Sequence, residues 1–400
     1  MSVAKSPPAL ITLIALTAVS TLSLNMFLPS LANIANDLEA EYATVSLAIA
    51  GYLATTAVIQ VIIGPLSDRV GRRPVLLGSL VVFTGASVAC ALATEMWTFL
   101  FFRMLQGAVI SGYALSLAIV RDTRSERAAA GVIGYISMAM AVAPMLGPML
   151  GGVLDTALGW RANFYFYAIS GVLLLALCWI DLGETRSPRT KTGEGKSERV
   201  LDLMKEPLFW AYSSCSALST GAFYIFLIGA PLAAEVQFGV NTAELGFLIG
   251  SITAGFMLGG LIAGRLAPRY RPTMMMLAGR IIACTGLAAG IAAIIGGSVS
   301  SATFFGCTIL VGLGNGITMP SCNAAVMSVC PSLAGTAAGL NGALVVASGA
   351  VLTTLTGILL PREDPALMVL SLMFAASGAG LAAILLAMRL SRDTREVDAG

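Results

Sequence analysis

The chain contains no histidine, and charged residues make up only 11% of its 400 positions, less than half the roughly 25% of an ordinary soluble domain. The first absence removes imidazole metal sites, histidine general bases and Ser/His/Asp triads, and most hydrolytic chemistry with them. The second excludes a water-soluble fold. A net charge of +2 is too small to imply a nucleic-acid partner. Of the seven cysteines, Cys90, Cys178, Cys215, Cys284 and Cys307 sit in apolar runs, and Cys322 and Cys330 lack CxxC spacing. They read as small apolar residues, so neither a metal nor a cofactor is expected.

What is present is apolar: 57% of the chain. Twelve membrane helices of about 20 residues need about 240 such positions, leaving the rest for turns, tails and one longer linker. The first apolar stretch follows Lys5, starts near Ala9 and runs past Leu28 with no small-residue cleavage site, so it reads as an uncleaved span rather than a leader. The hydropathy pattern predicts spans near 9–34, 43–66, 74–94, 97–119, 128–153 and 162–182, then 207–232, 243–267, 273–296, 301–320, 333–360 and 366–389. The expected organisation is a six-helix half over 1–183, a solvated basic linker over 184–206, and a second six-helix half over 207–400 with a short tail. With twelve spans and the N-terminus in the cytoplasm, 19 of the 23 basic residues fall on the cytoplasmic side and only Arg161 and Arg362 fall outside. The positive-inside rule then places both termini in the cytoplasm.

The halves echo each other at an offset of 200: Gly64, Leu66 and Arg69 after span two match Gly264, Leu266 and Arg269 after span eight. Parallel repeats of this kind build many secondary transporters, with the substrate site near the midplane. The most specific string, Gly64-Pro65-Leu66-Ser67-Asp68-Arg69-Val70-Gly71-Arg72-Arg73, lies in the first cytoplasmic turn. Gly64 is expected to let helices approach closely, Gly71 to permit a tight turn, and Asp68, the only carboxylate in that turn, to pair with the arginines as a conformational latch. Span five carries Pro144, Gly147, Pro148, Gly151 and Gly152. Its prolines each remove a helix hydrogen bond and its glycines give small-residue faces, the makings of a bent, tightly packed hinge or seal. Arg103 lies well inside span four, where an arginine costs about 2.5 to 3.5 kcal/mol on insertion scales and has to face acceptors in the bundle. Arg280 is expected either to be structural or to snorkel to the cytoplasmic surface.

The loop string resembles the signature turn of the major facilitator superfamily. Arg103-Met104-Leu105-Gln106-Gly107 is similar to its embedded arginine motif, and Ala143-Pro144 through Gly151-Gly152 is similar to the motif of drug antiporters. With Arg121-Asp122, Gly159-Trp160-Arg161 and Asn25-Met26-Phe27-Leu28-Pro29, the chain resembles the bicyclomycin/chloramphenicol resistance branch of the drug:proton antiporters. The resemblance implies an all-α membrane protein with twelve helices in two pseudo-symmetric halves. It also implies a monomeric plasma-membrane exporter of small amphipathic molecules, with protons as coupling ion. That branch usually has aspartate in span one where this chain has Asn25, with Tyr and Pro where it has Phe27 and Ala32. No other carboxylate is placed inside a span by the pattern; Asp37, Glu95, Asp155, Asp181 and Glu235 come closest.

Thr17, Thr21 and Asn25 recur every four residues, so they share one face of span one, where a substrate or Arg103 can hydrogen-bond. Tyr224 with Phe223, Asn315 with Met319, and Asn341 are the cavity candidates of the second half; aromatics and methionine make an adaptable apolar wall. A lipid-acting enzyme needs a clustered catalytic site that is not visible, and a sensor needs a soluble domain longer than any loop here. Within transporters the alternative is an uncoupled or anion-selective facilitator, suggested by Arg103 without an embedded acid.

Overall fold

In this computed structural model all residues are described except 1–7, 124–125, 186–202, 268, 331–332, 362–363 and 398–400. Helix α1 (Leu10–Asn25) passes through a 3-10 turn (Leu28–Ser30) into α2 (Leu31–Asp37). The first span is therefore broken rather than continuous, because Pro29 has no N–H to give the carbonyl four residues back. Helices α3 (Tyr42–Val70) and α4 (Arg72–Leu92) meet at Gly71, whose φ of +115° is open to glycine alone without strain. The fourth span is also broken, into α5 (Met96–Leu105), a 3-10 segment (Gln106–Val109) and α6 (Ile110–Thr123). There the backbone rides directly on α3: a Cβ on Gly107 would meet Thr55 Cγ2 at 3.3 Å.

Helices α7 (Glu126–Leu158) and α8 (Arg161–Asp181) follow, then α9 (Pro207–Val236), α10 (Thr242–Leu266), α11 (Pro272–Ile295), α12 (Ser301–Val329), α13 (Ala334–Leu359) and α14 (Pro365–Val397). Proline at the start of α9 and α11 occupies the position where its missing N–H has no helical partner, and Ser300 caps α12 by accepting the Thr303 N–H at 3.2 Å. Each expected span is thus filled by a helix or a broken pair. Among the described residues 11 stretches are long and apolar enough to cross a bilayer, and α7 supplies the shorter apolar stretch Leu146–Leu158. Helices α7 and α12 run on past the expected ends at 153 and 320, since neither Asp155 nor Pro320 stops them.

The chain divides into two compact units: residues 1–189 with 240–250, and residues 190–239 with 251–400. The first has a core of Leu13, Leu16, Leu76, Leu80, Ile119 and Ile136, topped by an edge-to-face chain in which Phe164 contacts Phe99, Trp160 and Tyr167. The second centres on Phe209, Cys215, Met276, Cys322, Val326 and Ile384. Its helices close on glycine: a Cβ on Gly312 or Gly316 would strike the carbonyls of Ile252 or Phe256, and one on Gly255 or Gly259 those of Ile309 or Leu313. Helices α10 and α12 therefore touch backbone to backbone, the close approach that small residues allow in lipid. The outward surface is inverted relative to a soluble protein, with Ile180 84%, Ile295 72% and Trp97 71% exposed, as a lipid-facing surface requires. Many interior hydroxyls donate along their own helices, as in Thr17 to Leu13 O (2.9 Å) and Ser87 to Phe83 O (2.7 Å).

Candidate functional site

Arg103 lies at the end of α5, just before the 3-10 break, and is 0% exposed. Its Nη2 donates to the Ser23 carbonyl of α1 at 2.7 Å, and its Nη1 donates to Gln106 Oε1 at 2.6 Å and reaches Ser23 Oγ at 3.5 Å. Gln106 in turn donates to Ser87 Oγ of α4 at 2.7 Å. The guanidinium carbon sits 4.2 Å from the Phe27 ring centroid and 4.3 Å from that of Tyr52, a stacked cation in a dry site. Tyr52 also donates its hydroxyl to Ser23 Oγ at 3.3 Å. One side chain thus fastens α1, α3, α4 and the broken fourth span together. Only its Nε is left without a partner.

Thr21 and Asn25 share a face of α1 as their spacing implies, and the hydrogen bonds of Arg103 go to Ser23 and Gln106 instead. Thr21 donates to Thr17 O and Asn25 Nδ2 to Thr21 O, each at 3.0 Å, while Asn25 Oδ1 is buried without a partner. Ser23, which spacing did not single out, takes the arginine instead, together with Phe27 four residues on.

A second buried guanidinium occupies the second unit. Arg280 of α11 is 0% exposed, so it does not snorkel. It is hydrogen-bonded to Asn315 Oδ1, its Nε donates to Thr318 Oγ1 at 3.3 Å, and Asn315 Nδ2 passes the link to the Ser219 carbonyl of α9 at 3.0 Å. Asn315 is therefore a structural connector. Tyr224 is 8% exposed and lies where a Cβ on Gly349 would strike its ring; its ring centroid lies 6.1 Å from that of Phe223. Asn341 Nδ2 reaches Asn323 Oδ1 at 3.4 Å, and its own Oδ1 has no partner. Met319 Sδ accepts the hydroxyls of Ser216 and Thr220 at 3.8 and 3.6 Å.

The turn between α3 and α4 holds a larger charge network than expected. Arg72 pairs with Asp68 at 2.7 Å and with Asp122 of α6 at 3.1 Å, and is also hydrogen-bonded to Ser67. Asp68 is not the only carboxylate there. Glu184, beyond α8, accepts the backbone N–H groups of Arg72 and Arg73 at 2.9 and 3.3 Å, an anion on the exposed amides of a helix start. A Cβ on Gly71 would strike that carboxylate. Arg73 lies over the Trp179 ring at 5.3 Å and donates to Trp179 O at 2.9 Å. Arg69 lies in the last turn of α3. Nothing within 4 Å of a Cβ on Gly64 would be met, so the close approach expected there is not made.

On α7, a Cβ on Gly147 would lie 3.2 Å from Leu22 Cδ2, one on Gly151 would strike Met26 O, and one on Gly152 would strike Thr242 O. The glycine side of span five is a close contact with the end of α1 and with residues 240–250. Pro148 is buried, whereas the Pro144 side chain lies outside the described residues. One acid is buried. Asp155, placed at a span end by sequence, lies in the last turn of α7, three residues before Leu158, and is 6% exposed. It accepts Asn33 Nδ2 at 2.9 Å, and the same amide reaches Thr242 Oγ1 at 3.3 Å. No other described acidic residue is buried.

Residues 13–354 match the family described as Major Facilitator Superfamily. The chain is 36% identical over 231 residues to a chloramphenicol resistance protein of Pseudomonas aeruginosa, covering 57% of this chain and 54% of that protein. It is 31% identical over 231 residues to the multidrug resistance protein MdtL of Shigella dysenteriae serotype 1, covering 58% and 59%. Each match thus spans little more than half the length of these relatives. Among solved structures, a D-xylose–proton symporter matches at a TM-score of 0.75 with 14% identity over 95% of this chain and 96% of that one. An inward-facing bacterial homologue of the human lysosomal transporter Spinster matches at 0.74 with 18% identity over 95% and 94%. The chain belongs to the Major Facilitator Superfamily, a transporter family rather than an enzyme family, on a fold its sequence resemblance implied.

Proposed function

We propose that this protein is a proton-coupled exporter of small amphipathic molecules of the drug class. It works by alternating access between its two units in a bacterial inner membrane, with both termini and the 184–206 linker cytoplasmic and a monomer as the working unit. The observation that carries the reading is the glycine side of α7, where Gly147 and Gly151 bring the helix onto the backbone of α1. This is the string that resembles the drug-antiporter motif, now in a context where it can act as a tight, leak-proof pivot. The printed names of the relatives support the substrate class. The first unit is tied by Arg103 and the second by Arg280, so each is built to move as a body.

Coupling needs a group that takes and releases a proton inside the protein. Asn25 has none to offer, and among the described residues Asp155, held by Asn33, is the one buried carboxylate and so the coupling candidate. Against the uncoupled or anion-selective alternative, both terminal nitrogens of Arg103 donate to protein acceptors, which supports a structural role for this charge. Inverted membrane vesicles loaded by a pH gradient test the reading with chloramphenicol as the probe. Gradient-driven accumulation is expected in the parent, and Asp155→Asn is expected to lose it while keeping gradient-independent exchange. Accumulation in the variant equal to the parent's would remove Asp155 from coupling, and none in the parent would remove this drug as a substrate.

A further inference from the structure

Helix α11 begins at Pro272, with Arg271 as its N-cap. Proline has no N–H to offer, and the N–H groups of Met274 and Met275 both go to the Arg271 carbonyl, at 3.0 and 3.2 Å. The Thr273 N–H is left as the unbonded donor of that helix start. Two hundred residues earlier the equivalent helix start is closed by an anion, since Glu184, beyond α8, accepts the backbone N–H groups of Arg72 and Arg73. In the second unit α14, the matching span, continues as helix, and the start of α11 opens instead on a cavity of about 560 Å³.

The free groups around this cavity are donors. Arg271 and Thr273 line it, and among the described residues neither side chain has an ion pair or a hydrogen bond. Tyr212 of α9 lines it too. That residue is 6% exposed, and its hydroxyl has no hydrogen-bond partner yet is not sealed from solvent, so the oxygen opens on the cavity. Ser328 of α12 and Ser391 of α14 complete the polar lining and donate to Ala325 O (2.8 Å) and Met388 O (3.1 Å) of their own helices. No acid stands among these five, and Met274 and Met388 add an adaptable apolar wall.

We propose that this cavity binds a small phosphate-bearing anion, held by the Arg271 guanidinium, the Thr273 N–H and hydroxyl, and the Tyr212 hydroxyl. A helix start favours anions through its free amide and its dipole, and a guanidinium matches phosphate oxygens in pairs. The donors come from two helices, α9 and α11. A tetrahedral phosphate presents oxygens in enough directions to take all of them, whereas a carboxylate has two oxygens in one plane. The volume lies in the range of about 300 to 1,000 Å³ for sites of small organic ligands, so the phosphate is carried on an organic body that packs against the methionines. A soluble phosphate ester and a phospholipid head group share this chemistry, and on the topology proposed above both reach the site from the cytoplasmic side. The site is distinct from the arginine tie of this unit, because Arg280 lies about 13 Å further along α11.

The test uses the purified full-length chain in an uncharged detergent. Radiolabelled glycerophosphate in equilibrium dialysis is the soluble arm, and short-chain phosphatidylglycerol followed by native mass spectrometry is the lipid arm. Saturable binding of one equivalent per chain is expected, and the arm in which it occurs identifies the source of the phosphate. Arg271→Gln and Tyr212→Phe are each expected to weaken binding about tenfold, the scale of one hydrogen bond to a charged group. Arg265→Gln, at an exposed arginine in the last turn of α10, is expected to leave it unchanged. Hydrogen exchange of the parent, which needs no variant to fold, is expected to slow at the start of α11 when the probe is bound. No binding in either arm, unchanged binding in Arg271→Gln or Tyr212→Phe, an equal loss in Arg265→Gln, or unaltered exchange at the start of α11 would each overturn the site. Binding in detergent involves no transport step, so these outcomes are independent of the exporter reading.

Discussion

Each unit buries one arginine completely, and the two are wired differently. In the first, Arg103 comes from the fourth span, donates directly to the Ser23 carbonyl, keeps its amide partner Gln106 on its own chain segment, and lies between Phe27 and Tyr52. In the second, Arg280 comes from the ninth span and reaches the Ser219 carbonyl only through Asn315, and no aromatic ring among the described residues stacks on it. Both networks join a guanidinium, a carboxamide and a serine carbonyl across matching spans: the first, third and fourth, and the seventh, ninth and tenth. What the repeat retains is the connection, and the helix that supplies the charge is free to change. A hydrogen bond to a charged group contributes about 1.5 to 3 kcal/mol, so a direct tie and a relayed one should differ measurably.

The largest effect is expected for Arg103→Ala, which leaves the Ser23 carbonyl and Gln106 Oε1 without their donor and empties the space between two rings. We expect a loss of about 4 kcal/mol from two charge-assisted bonds, read as a lowered thermal midpoint and poor membrane abundance. Arg280→Ala also loses two bonds, to Asn315 Oδ1 and a long one of 3.3 Å to Thr318 Oγ1, and should lose about 3 kcal/mol on the same scale, because Asn315 keeps its bond to Ser219 O and no ring stack is emptied. Equal losses would break the comparison. Since the two networks lie in separate units, the double variant should equal the sum to within about 0.5 kcal/mol.

The turns that carry the repeat sharpen it further. Gly71→Ala forces φ +115° on alanine and drives its Cβ into Glu184, a destabilisation of more than about 1 kcal/mol. The position 200 residues on is Arg271 with an ordinary φ of −66°, so Arg271→Ala should leave the thermal midpoint unchanged. Smallest are the two carboxylates of Arg72. Asp122 is 20% exposed at the side chain and Asp68 41%, so Asp122→Asn should slow transport more than Asp68→Asn, with each near the range of about 0.2 to 1 kcal/mol for surface pairs. The drug affinity should be unchanged in both, and a larger effect of Asp68→Asn would make it the principal partner of Arg72 after all.

Much of the architecture was legible because lipid leaves few alternatives: twelve apolar stretches had to become helices, and Gly71 had to turn the chain. The breaks in spans one and four were less visible. Pro29 stands near the end of its stretch, and the 3-10 turn at Gln106 follows from Gly107 meeting α3, a tertiary fact. For the site, Arg103 was readable from burial of charge and Gln106 from the motif its string resembles, whereas Ser23, Tyr52 and Phe27 are ordinary residues of apolar stretches until the guanidinium selects them. Thr17, Thr21 and Asn25 do not reach Arg103 because a hydroxyl or amide in a helix donates to the turn before it. Asp155 was legible as a span end, in the last turn of α7; its burial was not, because the contact with Asn33 comes from a helix more than a hundred residues away.

The central claim is that the buried guanidinium holds the first unit together instead of reading ligand charge. It is tested most directly by Arg103→Lys, which keeps one positive donor but cannot reach both Ser23 O and Gln106. Uptake of an anionic, a neutral and a cationic ligand into inverted vesicles, normalised to transporter abundance, should fall by one common factor with the ranking of the three unchanged. A selective loss of the anionic ligand would contradict the account and return Arg103 to the binding site.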